Sequence, residues 1–187
     1  MAESPRFQSI PADQMTDQQK AVVEKLLSSP RGAVRGPFAA LLRNPALADR
    51  IMQVGDIIRF DNSMPAQLRE MAILMIARFW SAKYEWHAHG KIGLELGLSA
   101  EIVDAIAYAK RPANMNPDQT LVYNFVSELL IEKDISDASY QAALERFGEK
   151  VIIDLLATAG YFCFVSLVLN AVRMPIPEGG LVLPSLS

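Results

Sequence analysis

Apolar residues recur every three and four positions along the chain, and no stretch sustains the strict alternation of a half-buried strand. The pattern predicts an all-α protein. Thr16-x-x-Gln19 has the form of a capping box, and the helix behind it carries Ala21, Val22, Val23, Leu26 and Leu27 as its expected inward set. A link rich in glycine and arginine, residues 29–37, precedes a short helix over 38–43. Pro45 then opens a helix that runs to about Phe60. After a turn at 61–64, the span 65–82 places Leu68, Met71, Ala72, Met75, Ile76 and Phe79 on one side and Ile73, Leu74 and Ala77 on the other. Such a helix is expected to be buried on most sides. Further helices are expected over 84–96, 99–109, 118–133, 137–147 and 149–173, with Gly97 ending one and Ser99 capping the next. The remainder, from Pro175 through Gly180, reads as an irregular tail.

The longest polar break, 111–117, divides two halves, and neither looks able to cover its own apolar faces. The expectation is therefore a single multi-helix domain over 1–187. In it, N-terminal helices at 14–60 precede a central segment at 65–109 and C-terminal helices at 118–173. Leu155 to Val172 contains no charged residue, and its eighteen positions meet the lower limit for a membrane-spanning helix. It also holds Thr158, Gly160, Tyr161, Ser166 and Asn170, so it reads as the central helix of a soluble bundle or oligomer, with no membrane partner.

Composition narrows the function. The 187 residues are 51% hydrophobic and 21% charged, enough to bury a sizeable core. The net charge of −3 offers no basic surplus for phosphates, so nucleic acid is not an expected partner. The single cysteine, Cys163, makes neither an internal disulfide, a zinc site nor a CxxC redox pair, and it reads as an inert apolar residue. The first residues lack an apolar stretch, and a cytoplasmic location is expected.

Candidate chemistry concentrates in Tyr84-Glu85-Trp86-His87-Ala88-His89-Gly90, which contains both histidines. Two positions apart on a helix, these imidazoles point in nearly opposite directions and cannot serve one site. His89 follows Glu85 by one turn on the stripe continued by Ile92 and Leu96, whereas His87 shares a face with Lys91 and Glu95. Trp86, Gly90, Gly93 and Gly97 form a third stripe, suited to close approach of a neighbouring helix. Glu70 sits at the start of the most apolar helix, where an ionised carboxylate needs a compensating partner. Glu70, Glu85 and His89 can thus form either a proton-transfer site or a satisfied core pair. Arg31, Arg35 and Arg43 read as surface or linker cations, one of which could hold an anionic substrate, and Gly36-Pro37-Phe38 could form a loop over a cavity.

From Leu68-Arg69-Glu70-Met71-Ala72-Ile73-Leu74 through Tyr84-Glu85-Trp86-His87-Ala88-His89 to Gly97-Leu98-Ser99, the chain resembles the carboxymuconolactone decarboxylase / alkylhydroperoxidase D superfamily. Weaker likeness touches Gly36-Pro37-Phe38, Gly160-Tyr161 and Asn170. The peroxidase branch of that superfamily uses a glutamate, a CxxC pair and a histidine four residues after the second cysteine. On that template Glu70 and His89 match, while Ala82 and Glu85 stand where the cysteines would be. The resemblance therefore implies the decarboxylase branch, because a dithiol cycle needs two thiols. It implies a bundle of the alkylhydroperoxidase D type and a homo-oligomer, trimer or hexamer. The implied activity is decarboxylation of a small carboxylated lactone without metal or organic cofactor. In that reading His89 is the general acid, Glu85 orients it and Glu70 completes the relay. Arg35, Phe38 and Tyr161 are the implied contacts to a small anionic organic substrate.

Overall fold

The computed structural model describes residues 4–186. Among them the chain forms eight α-helices, a 3-10 turn at Ala12–Gln14 and no strand, so it is all-α as the periodicity predicts. The contacts group it into two compact units. One comprises the residues up to Asp61 together with Val168–Pro175, and the other Asn62–Leu167 together with the residues from Ile176 onward.

The first unit contains α1 (Asp17–Ser28), α2 (Phe38–Leu41) and α3 (Pro45–Phe60). The capping box forms as expected. Thr16 Oγ1 accepts from the Gln19 backbone N–H, and the Gln19 side chain accepts from the Thr16 backbone N–H. α1 and α2 both pack on α3. The buried stripe of α1 is narrower than its composition suggests: Val22 and Leu26 are buried, but Ala21 is exposed and Leu27 is 54% exposed. Asn44 caps α3 by accepting from the Leu47 N–H. Arg31 fastens the glycine-rich link to α3, with Nε 2.8 Å from Asp56 Oδ1 and its guanidinium over the Phe38 ring.

The second unit contains α4 (Ala66–Phe79), α5 (Lys83–Glu95), α6 (Ala100–Ala107), α7 (Pro117–Ile131) and most of α8 (Asp137–Val172). α4 is its centre and packs against α5, α6 and α7. Ala72, Ile73, Leu74, Ile76 and Ala77 are fully buried, which is why this helix is apolar on most of its circumference. Phe79, expected inward, instead lies 45% exposed at the end of α4, where the chain turns through Ser81 (φ 50°) into α5. Gly97 takes φ 92° after α5, a conformation that costs glycine little, and Ser99 caps α6 through the Ile102 N–H. A second capping box, Asn116 with Gln119, opens α7 around Pro117. α8 is interrupted at Gly148 (φ 78°, ψ 167°), and helical conformation resumes on either side, as the separate spans 137–147 and 149–173 anticipate.

The second stretch of α8 buries Leu155, Ala159, Phe162, Val165 and Leu169 at helical spacing. By length and composition α8 alone among the described helices is suited to cross a membrane, and 44% of its most apolar window is buried within the protein. Its opposite side carries Ile153 and Leu167, which are 63% and 48% exposed. The irregular tail returns to α4 and α5. Leu181 lies against Gly90, the Gly180 backbone lies against the His87 ring, and the Pro184 carbonyl accepts from Arg78.

Candidate functional site

The site begins with a local rule. Four residues apart on α5, Glu85 and His89 share a helix face, and Glu85 Oε2 lies 3.2 Å from His89 Nε2. The second acid comes from the preceding helix. Glu70 Oε2 lies 2.6 Å from His89 Nδ1, a short charge-assisted hydrogen bond. Glu70, Glu85 and His89 are respectively 3%, 4% and 5% exposed, so the three groups meet away from bulk water.

One turn beyond His89, α5 carries a glycine on the side that faces α4. A Cβ at Gly93 would lie 3.0 Å from Leu98 Cδ1, 3.5 Å from Leu74 Cδ1 and 3.7 Å from the Glu70 Cβ. A methyl there would press on Leu98 and meet α4 only at ordinary contact distance. The rest of that stripe is used differently. Gly90 faces Leu181 of the tail and not a helix, and Gly97 serves the turn after α5.

The two contacts to the imidazole are unequal. Nδ1 is held by a directed hydrogen bond, whereas Glu85 Oε2 accepts no well-directed hydrogen bond and approaches Nε2 as an ion-pair contact. The edge of the Phe162 ring stands against the imidazole, with centroids 4.9 Å apart and planes at 83°. Arg69 lies behind Glu70, its Nε 3.6 Å from Glu70 Oε1. Burial by itself would lower the His89 pKa, but the charge and hydrogen bond of Glu70, with the close Glu85 carboxylate, outweigh it and push the value up to about 9. At neutral pH the ring is an imidazolium, with one N–H fixed and the other loosely held. Both ring nitrogens face carboxylates, an arrangement that stores a proton.

The other expected residues are placed as follows. Tyr161 is buried on α8 and stands edge-on to Phe162, centroids 5.3 Å apart, so one aromatic ring separates it from the imidazole. Arg35 and Phe38 belong to the first unit, Arg35 exposed and Phe38 buried beneath Arg31. Ala82 is fully buried before α5, where a peroxidase-type thiol would stand, and Cys163 is half-buried on α8. His87, expected on a solvated face, is half-covered because the tail lies on it. Arg69, adjacent to Glu70 in the sequence, is the compensating cation that this adjacency suggests, whereas Phe162 is hidden from sequence reading in a run of apolar residues.

No protein-family model matches the sequence, and no curated protein matches it either. Solved structures do match, and they share the fold of the alkylhydroperoxidase AhpD core. One is an uncharacterized peroxidase-related protein from Ralstonia eutropha JMP134 described as having that core. It is 18% identical with a TM-score of 0.74, over 93% of this chain and 93% of its own. Another is an uncharacterized peroxidase-related protein from Silicibacter sp. TM1040, 18% identical with a TM-score of 0.75, over 93% of this chain and 92% of its own. A protein of unknown function from Agrobacterium tumefaciens is 11% identical with a TM-score of 0.65, over 78% of this chain and all of its own.

Proposed function

We propose that this protein is a carboxy-lyase that removes CO2 from a small carboxylated lactone, with His89 as the general acid. The observation that carries the reading is the charged imidazole held between Glu70 and Glu85, buried yet with Nε2–H bound only by an ion-pair contact. In such a lactone the departing carboxylate is attached to a carbon conjugated through a double bond to the ring carbonyl. Breaking that C–C bond releases CO2 and sends its electron pair through the double bond to the carbonyl oxygen, giving a dienolate. A proton added at the carbon beside the carbonyl restores the lactone. The ring is its own electron sink, and the protein has to supply a proton and a fixed, water-poor setting.

The residues divide this work. Glu70 fixes the ring by its bond to Nδ1 and holds the positive charge. Nε2–H donates to the substrate carbon, and the neutral imidazole regains a proton through the adjacent Glu85 carboxyl. Tyr161 is the proposed contact to a substrate carboxylate. We take the working form to be a homo-oligomer, trimer or hexamer, a reading supported by the apolar outer side of α8 at Ile153 and Leu167.

A peroxidase reading is favoured by the descriptions of two neighbours as peroxidase-related. It requires a thiol, and Cys163 is the chain's single cysteine. A screen of carboxylated lactones and β-keto acids for CO2 release, run beside a peroxide-consumption assay on wild type and Cys163→Ala, decides between them. The proposal expects CO2 from a carboxylated lactone, undiminished in the variant. Peroxide consumption abolished by Cys163→Ala, with no CO2 from any substrate, would establish the peroxidase.

A further inference from the structure

Arg78, on the last turn of α4, is a buried cation with no countercharge among the described residues. It is 8% exposed, and among the described residues no carboxylate pairs with it. Its acceptors are neutral: Nη1 donates to the Ala107 carbonyl at 3.1 Å and the Pro184 carbonyl at 2.7 Å, and Nη2 donates to Ser81 Oγ at 2.7 Å. A guanidinium has five N–H groups, so Nε–H and one Nη2 hydrogen are left over, and Nε is buried with no acceptor. Desolvation pulls the pKa of this arginine below its ordinary value, and no acid among the described residues opposes that pull. A buried charge left in this condition is costly.

Beside it lies a cavity of about 130 Å³ among α4, α6 and α7. Its walls are mainly Met75, Ile106, Tyr123 and Leu130, and Lys110 joins Arg78 as a second cation on its lining. An engineered apolar cavity of about 150 Å³ holds benzene, so a single six-membered ring is the right scale here. The combination selects a ligand with an apolar body and one negative end.

We propose that this cavity binds a small monocarboxylate with a ring-sized apolar body, its carboxylate neutralising Arg78 with help from Lys110. The site is separate from the imidazole: Arg78 lies eight residues, or about 12 Å, beyond Glu70 along α4. It therefore does not depend on the catalytic reading.

Benzoate is the probe, benzamide its neutral isostere, and chemical-shift titration of the ¹⁵N-labelled full chain the measurement. Benzoate should bind saturably at about millimolar or tighter, as expected for a ligand of nine heavy atoms. Shifts should centre on Arg78, Ile106, Lys110 and Tyr123. Benzamide and Arg78→Gln should each weaken binding by at least about tenfold, and Lys110→Gln by a few-fold. Arg78→Gln also removes three hydrogen bonds and can unfold the protein. Ser127→Leu, which fills the lining from half-exposed α7, therefore provides the second test, and it should abolish binding while the chain stays folded. His89→Gln should bind benzoate like wild type. Equal affinity for benzoate and benzamide, no saturable shifts, retained binding in folded Ser127→Leu, or loss of binding in His89→Gln would each overturn the proposal.

Discussion

Nδ1 of His89 lies 2.6 Å from Oε2 of Glu70, across the interface between α5 and α4, and both side chains are buried. They are nineteen positions apart in the chain, and Glu70 makes the larger of the two carboxylate contributions to the charge on the ring.

The first consequence is a titration. The His89 pKa is raised from an ordinary 6.5 to about 9. A group raised in the folded state stabilises it fully below the unfolded value, and that stabilisation is lost as pH rises through the folded value. The contribution is thus complete below about pH 6.5, fades as pH climbs toward 9, and amounts to about 3 kcal/mol. NMR of the His89 ring should show a midpoint near 9, and the melting temperature should fall across the same window. A ring that titrates near 6 would contradict the ion-pair account. If the imidazolium is the acid, turnover should also decline above pH 9.

Glu70→Gln and Glu85→Gln should separate the two acids. Glu70→Gln removes the charge behind the directed bond. We expect the His89 midpoint to drop by more than one unit and stability to fall by about 2–3 kcal/mol. Glu85→Gln touches the looser contact, so its stability cost should be below about 1 kcal/mol while turnover falls by tenfold or more. Denaturant melts and ring titrations of both variants test the order, and equal stability losses would contradict the assigned asymmetry.

Gly93 and Gly90 offer a matched pair. Alanine normally favours a helix interior by about 1 kcal/mol over glycine. At Gly93 the new methyl would press on buried Leu98 at 3.0 Å, so Gly93→Ala should give up that gain and lower stability. At Gly90 the obstruction is the end of Leu181 in the tail. Gly90→Ala should therefore keep the melting temperature of the core and make the tail more sensitive to protease. Thermal melts with limited proteolysis check both, and identical behaviour of the two variants would refute the distinction.

Gly148 is the site of a fourth test. With φ at 78° a side chain is strained there, although nothing lies within 4 Å of a Cβ. Gly148→Ala should destabilise the protein by about 1–2 kcal/mol through backbone conformation alone. An unchanged melt would mean that the break in α8 is not required.

These cases show what the sequence makes legible. Local signals transferred directly: Thr16 with Gln19, Ser99, and the two spans on either side of Gly148 all depend on residues a few positions apart. The Glu85–His89 contact is of this kind, since four residues is one turn. The Glu70–His89 bond is not, because nothing in the spacing of two separate helices fixes their approach; that depends on how α4 and α5 pack. Helix ends misled for a similar reason. Phe79 and Leu27 fit the apolar period yet lie exposed near the ends of their helices, because periodicity carries no information about where packing against a neighbour ends. The prolines and glycines after Pro175 mark an irregular tail, but its seat on Gly90, His87 and Arg78 rests on long-range packing that no local pattern encodes.

The most direct measurement is CO2 release from a carboxylated lactone by wild-type protein and by His89→Gln at the same pH and substrate concentration. The account predicts a fall of about a hundredfold or more, with the fold intact by circular dichroism. Equal rates from the two proteins would contradict it.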